Sequence, residues 1–180
     1  MNKTHPAYKY AADVIARRTP APKYVKIQCR LFRDMAGGKD KKYIIDNSRV
    51  ALIDEILKLM IMPKGLRQGQ SLDTALSGFQ WLFIIAVLCA VHRDTPKRRR
   101  YQKAVLEIAR KNGKTLLVAI VFLLCMLLEP DFSRLYSVAP DGSLSREIQT
   151  ALRAIIASSP ALVNQFKLRR DDILCLLTSS

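Results

Sequence analysis

The feature that most constrains this chain is an apolar run that leads into Gly113-Lys114-Thr115 and is followed by a second apolar run. Residues 103–108 have the composition of a strand, and residues 116–128 have that of a buried helix. A strand, a loop ending in Gly-Lys-Thr and a helix form the order of a phosphate-binding loop. The pattern therefore predicts an α/β fold with a nucleotide site at the loop.

Each residue type in this loop has a chemical reason to be there. Gly113 lets the backbone approach a phosphate closely, Lys114 can reach the β- and γ-phosphates, and the Thr115 hydroxyl can ligate Mg²⁺. The general pattern has a further glycine five residues before Gly113, where this chain has Ile108. The alternative is a surface turn at Lys111-Asn112-Gly113 that merely precedes a buried helix.

Arg110 lies three residues before Gly113-Lys114 and would put a fixed positive charge beside the phosphates. This is the position of an arginine finger supplied by the same chain, so Arg110 is the candidate catalytic residue. The alternative is a solvated charge in a basic region. We expect residues 110–115 to form the ATP-phosphate site, with ATP and Mg²⁺ as cofactors.

The distribution of charge favours a polyanionic partner. Residues 1–128 hold 24 Lys and Arg against 9 Asp and Glu, which accounts for the whole excess of +15, whereas residues 129–180 hold 6 of each. Nucleic acid is the first candidate and an anionic membrane surface the second. The candidate DNA contacts form one cluster, for which a solvated loop is the alternative: Arg93, Lys97, Arg98, Arg99 and Arg100.

The chain has the features of a cytoplasmic protein without a membrane span. Its apolar runs, Trp81 to Val91 and Leu116 to Leu128, have 11 and 13 residues, and a spanning helix needs about 20. The first residues contain no apolar signal segment. The four cysteines have no metal-ligand spacing and are expected to be reduced and buried.

Periodicity divides the chain near residue 76. Residues 1–76 are predicted to be helical, with helices over 8–18, 22–36 and from Asn47 or Ser48 to about Met60, followed by a polar linker over 65–75. Residues 77–180 are predicted to form an α/β domain with a parallel sheet. Its expected elements are a helix over 77–92, strands over 103–108, 134–139 and 173–177, and helices over 114–128 and from Ser143 or Ser145 to Ser158.

Ala109-Arg110-Lys111-Asn112-Gly113-Lys114-Thr115 resembles the phosphate loop of the large terminase subunits of tailed bacteriophages, which has Arg in place of the early glycine. Phe79-Gln80-Trp81 resembles the adenine-contacting segment of that family, and Tyr136-Ser137-Val138-Ala139 resembles its strand after the loop helix. Further similarity lies near the N-terminus, at His5-Pro6, Tyr10, Asp13-Val14, Lys26, Cys29-Arg30 and Asp34.

The resemblance implies an N-terminal helical segment over 1–76 followed by a partial P-loop (ASCE-type) ATPase domain over 77–180. It implies that Gln80 contacts adenine, with Phe79 or Trp81 packing nearby. It also implies a motor that drives double-stranded DNA into a procapsid, with the small terminase subunit and the portal protein as partners and a possible homo-oligomeric ring.

The family also has Walker B carboxylates and a separate nuclease domain, and neither can be placed in this sequence. A Walker B motif needs an apolar strand that ends in two acidic residues, whereas Asp171-Asp172 follows Lys167-Leu168-Arg169-Arg170. We therefore expect a truncated ATPase domain that hydrolyses ATP slowly or not at all. Two alternatives stay open. One is a non-enzymatic basic module, a decayed prophage product that binds DNA or a partner, and the other is membrane-surface association.

Overall fold

The computed structural model describes residues 2–178, except for the side chain of Leu144. In chain order its elements are α1 (Pro6–Ile15), α2 (Lys23–Ala36), β1 (Tyr43–Ile45), α3 (Asn47–Leu59), α4 (Leu72–Ala75), α5 (Gly78–Cys89), β2 (Ala90–His92), α6 (Lys114–Leu128), α7 (Gly142–Ser158), α8 (Pro160–Val163), β3 (Phe166–Leu168) and β4 (Ile173–Cys175).

The described residues form two compact units. The first contains the residues up to Leu52 together with Leu76–Val105, and the second contains Ile53–Ala75 together with the residues from Leu106 onward. Helix α3 begins in the first unit and continues into the second.

The first unit is built on α1, α2 and α5, with a small sheet at its side. Helix α1 packs against both α2 and α5. Its small buried residues Ala7 and Ala11 allow a close approach, and α2 contributes the fully buried Cys29 and Phe32. Strands β1 and β2 pair antiparallel, with Tyr43 opposite His92.

The contact between α1 and α5 leaves no room for a side chain at Gly78. A Cβ atom built there would lie 2.7 Å from the Cβ of Tyr10, which cannot move away without shifting the α1 backbone. Gly78 is therefore required by packing at the first residue of α5.

Gly78→Ala is expected to lower the free energy of unfolding by about 1–3 kcal/mol, because overpacking forces the two helices apart. Thermal or urea unfolding followed by circular dichroism measures the change. Gly142→Ala is the matched control, since it also changes the first residue of a helix and a Cβ there meets no atom within 4 Å. Equal losses in both variants would contradict a tight α1–α5 contact.

The second unit is centred on α6, which packs against α7. The apolar sides of both helices are fully or almost fully buried, at Leu117, Ile120 and Leu124 of α6 and at Leu152, Ile155 and Ile156 of α7. Strands β3 and β4 form an antiparallel hairpin with Phe166 opposite Cys175.

The buried Ser159 links residue Ile61 to helix α7 within the second unit. The Ser159 hydroxyl is fully buried, accepts a hydrogen bond from the Ile61 N–H (2.8 Å) and donates one to the Ile155 carbonyl (2.6 Å). It therefore gives the partly buried Ile61 N–H a hydrogen-bond partner.

The longer helices lie where the sequence predicted them, although α1 spans Pro6–Ile15 where residues 8–18 were expected. The caps of α3 and α7 differ from the prediction. Asp46 Oδ1 accepts from the N–H groups of Ser48 and Arg49, so Asp46 caps α3 in place of Asn47 or Ser48. Asp141 Oδ1 accepts from the Ser143 N–H at the start of α7, in place of a Ser143 or Ser145 cap. The aspartate lies one residue before Asn47 in the first case and two residues before Ser143 in the second, and its carboxylate is the stronger acceptor.

The parallel sheet predicted for residues 77–180 is not found among the described residues. The chain combines helices and strands, as an α/β chain does, but both sheets within residues 2–178 are two-stranded and antiparallel. The predicted strands over 103–108 and 134–139 have no hydrogen-bonding partner strand and are not strands. A strand is defined by pairing, which local composition cannot supply.

Three further boundaries differ from prediction. Helix α5 ends at Cys89 and the chain continues as β2, where a helix to His92 was expected. The expected linker over 65–75 contains the one-turn helix α4, and the strand expected to reach Leu177 ends at Cys175. An apolar run alone does not distinguish a helix from a buried strand, so the α5–β2 boundary depends on the pairing with β1.

Candidate phosphate loop and basic surface

Residues 109–113 form a tight turn in front of α6. Gly113 caps the helix in the left-handed conformation (φ 75°), and Lys111 also has a positive φ of 68°. The Asn112 side-chain amide donates to the Ala109 carbonyl (3.3 Å) and closes the turn on itself. The chain thus enters α6 abruptly, so that the first helical residue is Lys114.

The entrance to α6 has the chemistry of an anion site. The helix is 15 residues long and its capping residue, Gly113, has no side chain to accept hydrogen bonds from the first turn. Free N–H groups and the positive end of the helix dipole favour a bound anion. Arg110, Lys111 and Lys114 are exposed, and none of the ion pairs or side-chain hydrogen bonds found within residues 2–178 involves them.

Thr115 is half-buried beside this entrance, and Leu117 anchors the first turn in the core. A fixed helix start surrounded by exposed cationic side chains is a suitable place for a phosphate group. Residues 110–115 therefore lie together in one part of the second unit.

The Gln80 segment begins α5 in the first unit. Gln80 is 9% exposed, and its Oε1 accepts from the Ser77 N–H (2.9 Å) and lies 2.9 Å from the Ser77 hydroxyl. Trp81 is buried and meets the His5 ring edge-on, with the ring centroids 4.9 Å apart. Phe79 is only half-buried, so it offers more aromatic surface than Trp81 does.

The predicted DNA-contact cluster divides into side chains used by the fold and side chains that face solvent. The Arg93 guanidinium donates to the carbonyls of Asp40 and Gly38 (both 2.9 Å). The Arg100 guanidinium lies over the Tyr43 ring (4.3 Å) and 3.5 Å from the Asp40 carboxylate. Arg93 and Arg100 thus hold two loops together.

The sequence-based site prediction did not include the loop formed by residues 39–42. Residues 39–42 lie beside residues 93–100 because β1 pairs with β2 and the Arg93 N–H donates to the Lys42 carbonyl (3.0 Å). Besides Arg93, whose guanidinium is used by the two carbonyls, these loops expose five cations, which we call the paired basic loops: Lys39, Lys41, Lys42, Lys97 and Arg98. Arg99 is half-buried and pairs through its backbone with Val91.

Asp40 is the acidic centre of this arrangement. Burial raises the pKa of its carboxyl, but the N–H groups of Lys42 and Tyr43, with Arg100 and Arg93, outweigh burial and hold the pKa below its usual value. The carboxylate therefore stabilises the loops above the ordinary Asp pKa of about 3.9. This contribution is lost as the pH falls through the lowered folded-state value.

The second unit also contains a cavity of about 880 Å³. Phe122 of α6, Gln149 of α7, Tyr136 and Ile173 are among its lining residues. None of the predicted site residues lines it, so it is separate from the loop at 110–115.

No three His, Cys, Asp or Glu side chains within residues 2–178 are grouped so as to hold a metal ion. Asp171 and Asp172 lie in the turn between β3 and β4, and Asp172 pairs with Arg169 (3.5 Å) at the surface. No helix among the described residues is long and apolar enough to cross a membrane.

The model of one protein family, described as the terminase large subunit, ATPase domain, matches residues 80–176, which are 97 of the 180 residues. The chain belongs to the terminase large subunit family. No curated protein and no solved structure matches it. The match begins at Gln80 and includes the whole loop at 109–115, while the similar residues noted near the N-terminus lie outside it.

Membership in this family confirms the resemblance stated from the sequence. A terminase ATPase domain belongs to a DNA-packaging motor and uses a nucleotide. The terminase family generally binds DNA and packaging partners.

Proposed function

We propose that this terminase chain binds ATP with Mg²⁺ through residues 110–115, as the nucleotide-binding part of a motor that packages double-stranded DNA. One observation carries the proposal. The first turn of α6 has N–H groups that no side chain caps, and three exposed cations lie beside it. Both features fall within the region that matches an ATPase domain. These are the groups that phosphate recognition requires.

Each residue then has a distinct task. The first-turn N–H groups and Lys111 hold phosphate oxygens, and Asn112 keeps the turn closed. The Lys114 ammonium neutralises the β- and γ-phosphates, and the Thr115 hydroxyl ligates Mg²⁺. Arg110 stabilises the charge that develops during phosphoryl transfer.

The bound nucleotide supplies the phosphoanhydride whose hydrolysis releases free energy. A carboxylate that orients water is needed for fast hydrolysis, and Asp171 and Asp172 are poor candidates because they occupy a hairpin turn. We therefore propose that the chain binds ATP and hydrolyses it slowly or not at all, and that further residues of a complete motor supply the carboxylates and the nuclease.

The paired basic loops support a DNA contact in the same motor, and they are also the observation that favours the second candidate function. In that alternative the chain is a non-enzymatic module that binds DNA and no nucleotide. In the proposed motor, the small terminase subunit and the portal protein are the other partners, and the subunits form a homo-oligomeric ring.

Isothermal titration of the chain with ATP in the presence of Mg²⁺ tests the proposal. Saturable binding with one nucleotide per chain is expected, together with a rise in melting temperature in proportion to the logarithm of nucleotide concentration. DNA binding by a folded chain that shows no saturable ATP binding up to millimolar concentrations would favour the non-enzymatic module.

A further inference from the structure

One segment of the second unit has a backbone without hydrogen-bond partners. Residues 134–139 belong to neither a helix nor a strand, and none of their N–H or carbonyl groups makes a hydrogen bond within residues 2–178. Tyr136 and Val138 are 74% and 91% exposed. In solution water satisfies these backbone groups, so the segment keeps the pairing capacity of a sheet edge.

The hairpin of β3 and β4 has a second unpaired edge. Strand β4 pairs with β3 on one side, and no described strand lies on its other side. Ile173 and Leu174 of β4 both line the cavity of about 880 Å³, whereas no residue of β3 does. Because neighbouring side chains of a strand point to opposite faces, a cavity lined by both meets the strand at its edge. The cavity therefore lies along the unpaired edge of β4.

The two unpaired edges border the same cavity. Residues 133–137 line it together with β4, so the backbone groups without partners and the free strand edge are available to one occupant. The volume lies within the range of about 300–1,000 Å³ that is typical of ligand pockets. An extended peptide is the occupant whose own N–H and carbonyl groups match such edges.

The helical part of the cavity lining is apolar. It is formed by Phe122 and Met126 of α6 and by Ile148 and Leu152 of α7. Apolar side chains on the occupant would remove this surface from water, which a hydrated sugar–phosphate chain would not do. Because side chains alternate along a strand, every second residue of an extended peptide can meet this surface.

The charged part of the lining has an excess of positive charge. Three exposed arginines line the cavity, and none of their guanidinium groups makes an ion pair or hydrogen bond within residues 2–178: Arg134, Arg146 and Arg170. The lining also has two carboxylates, Asp171 and Asp172, and Asp172 is already paired with Arg169 (3.5 Å). Acidic side chains on the occupant would therefore be electrostatically favoured.

We propose that this cavity binds an extended segment of a partner protein, which adds as a β-strand along residues 134–139 and the free edge of β4. The partner segment has apolar side chains that alternate with acidic ones. Main-chain hydrogen bonds supply the affinity of such strand addition, and alternate side chains supply its specificity. The proposal does not depend on the nucleotide site.

Isothermal titration of the full chain with synthetic peptides tests the proposal. The first peptide alternates valine and glutamate over about six residues, the length of an average strand, and is expected to bind saturably with one peptide per chain. Replacing each glutamate by lysine should weaken binding by about tenfold or more, because the arginines then repel the peptide. Methylation of alternate backbone nitrogens should weaken it by about tenfold, because hydrogen bonds to the edges are lost.

A double variant connects this binding to the cavity. Arg134→Ala/Arg170→Ala should bind the glutamate peptide about tenfold more weakly than the unchanged chain does. Arg17→Ala/Arg30→Ala is the matched control, since both arginines are exposed in the first unit and lack a side-chain partner there. It should bind like the unchanged chain. Circular dichroism and melting temperature show whether each variant is folded.

Hydrogen–deuterium exchange distinguishes strand addition from a contact made by side chains alone. Amides in residues 134–139 have no hydrogen bond in the free chain and are expected to exchange fast. The glutamate peptide should slow their exchange. Saturable binding without protection of these amides would overturn the proposed strand.

Three further results would overturn the proposal. One is the absence of saturable binding of the glutamate peptide at millimolar concentration. Another is stronger protection of residues 134–139 by a single-stranded oligonucleotide than by the peptide, which would assign the cavity to nucleic acid. The third is self-association in analytical ultracentrifugation that is lost in Arg134→Ala/Arg170→Ala, which would assign the cavity to a second copy of the chain.

Discussion

Lys114→Ala is expected to weaken ATP binding by about 10- to 100-fold, which is the value of one charge-assisted hydrogen bond to an anion. Lys114 is exposed at the first position of α6 and has no protein partner among the described residues. Its charge is therefore available to a phosphate. Isothermal titration with ATP and Mg²⁺ measures the change.

The Lys114→Ala substitution is not expected to destabilise the fold. A lysine in the first turn of a helix opposes the helix dipole, and alanine has the highest helix propensity. Lys114→Ala is therefore expected to keep or slightly raise the melting temperature in the absence of nucleotide. A variant that keeps its melting temperature and loses ATP affinity would indicate that Lys114 serves nucleotide binding and not folding.

Lys103→Ala is the matched control, because Lys103 is also exposed and lies outside the loop. It should bind ATP like the unchanged chain. Equal ATP affinity in Lys114→Ala and in the unchanged chain would remove Lys114 from the site.

Replacing the paired basic loops is expected to have the second large effect. The variant changes Lys39, Lys41, Lys42, Lys97 and Arg98 to alanine. Because each phosphate contact releases counterions, losing up to five contacts should lower duplex-DNA affinity by about 100-fold or more at moderate salt. The slope of log affinity against log salt should become less negative by up to about 4.5. Fluorescence anisotropy with a labelled duplex at several salt concentrations measures both.

The control for this variant removes the same charge from elsewhere. Its five exposed residues, again four lysines and one arginine, are changed to alanine: Lys3, Lys9, Lys23, Arg30 and Lys64. If only net charge matters, the two variants will bind DNA equally weakly, and the paired basic loops will have no special role. A larger loss in the loop variant assigns the contact to that surface.

The longer helices of this chain were predictable because helical periodicity is local. Helix α6 begins directly after Gly113 and ends at Leu128, where its apolar run meets Glu129. The turn before α6 was predictable for the same reason, since Gly113 adopts a positive φ that suits glycine. This local pattern is also what carried the resemblance to the terminase family.

The pairing of strands and loops was not predictable from one sequence. The β1–β2 pair joins residues almost fifty positions apart, and no local pattern distinguishes Ala90–His92 from the end of the helix before it. The paired basic loops depend on that same pairing and on Asp40, whose carboxylate meets Arg100 only in the folded chain. The residues proposed for the phosphate site are neighbours in sequence and could be named together, and their role stays a prediction. Residues 39–42 come beside residues 93–100 only through tertiary contacts, so the sequence did not point to them.

Hydrogen–deuterium exchange with and without ATP and Mg²⁺ tests the central claim most directly, because it locates the nucleotide on the backbone. If phosphates bind the entrance to α6, amides in residues 110–117 will exchange more slowly at a nucleotide concentration just sufficient to saturate the unchanged chain. At that same concentration the Lys114→Ala variant, which binds more weakly, will show much less protection. Unchanged exchange in residues 110–117, with protection elsewhere or nowhere, would contradict a phosphate site at this loop.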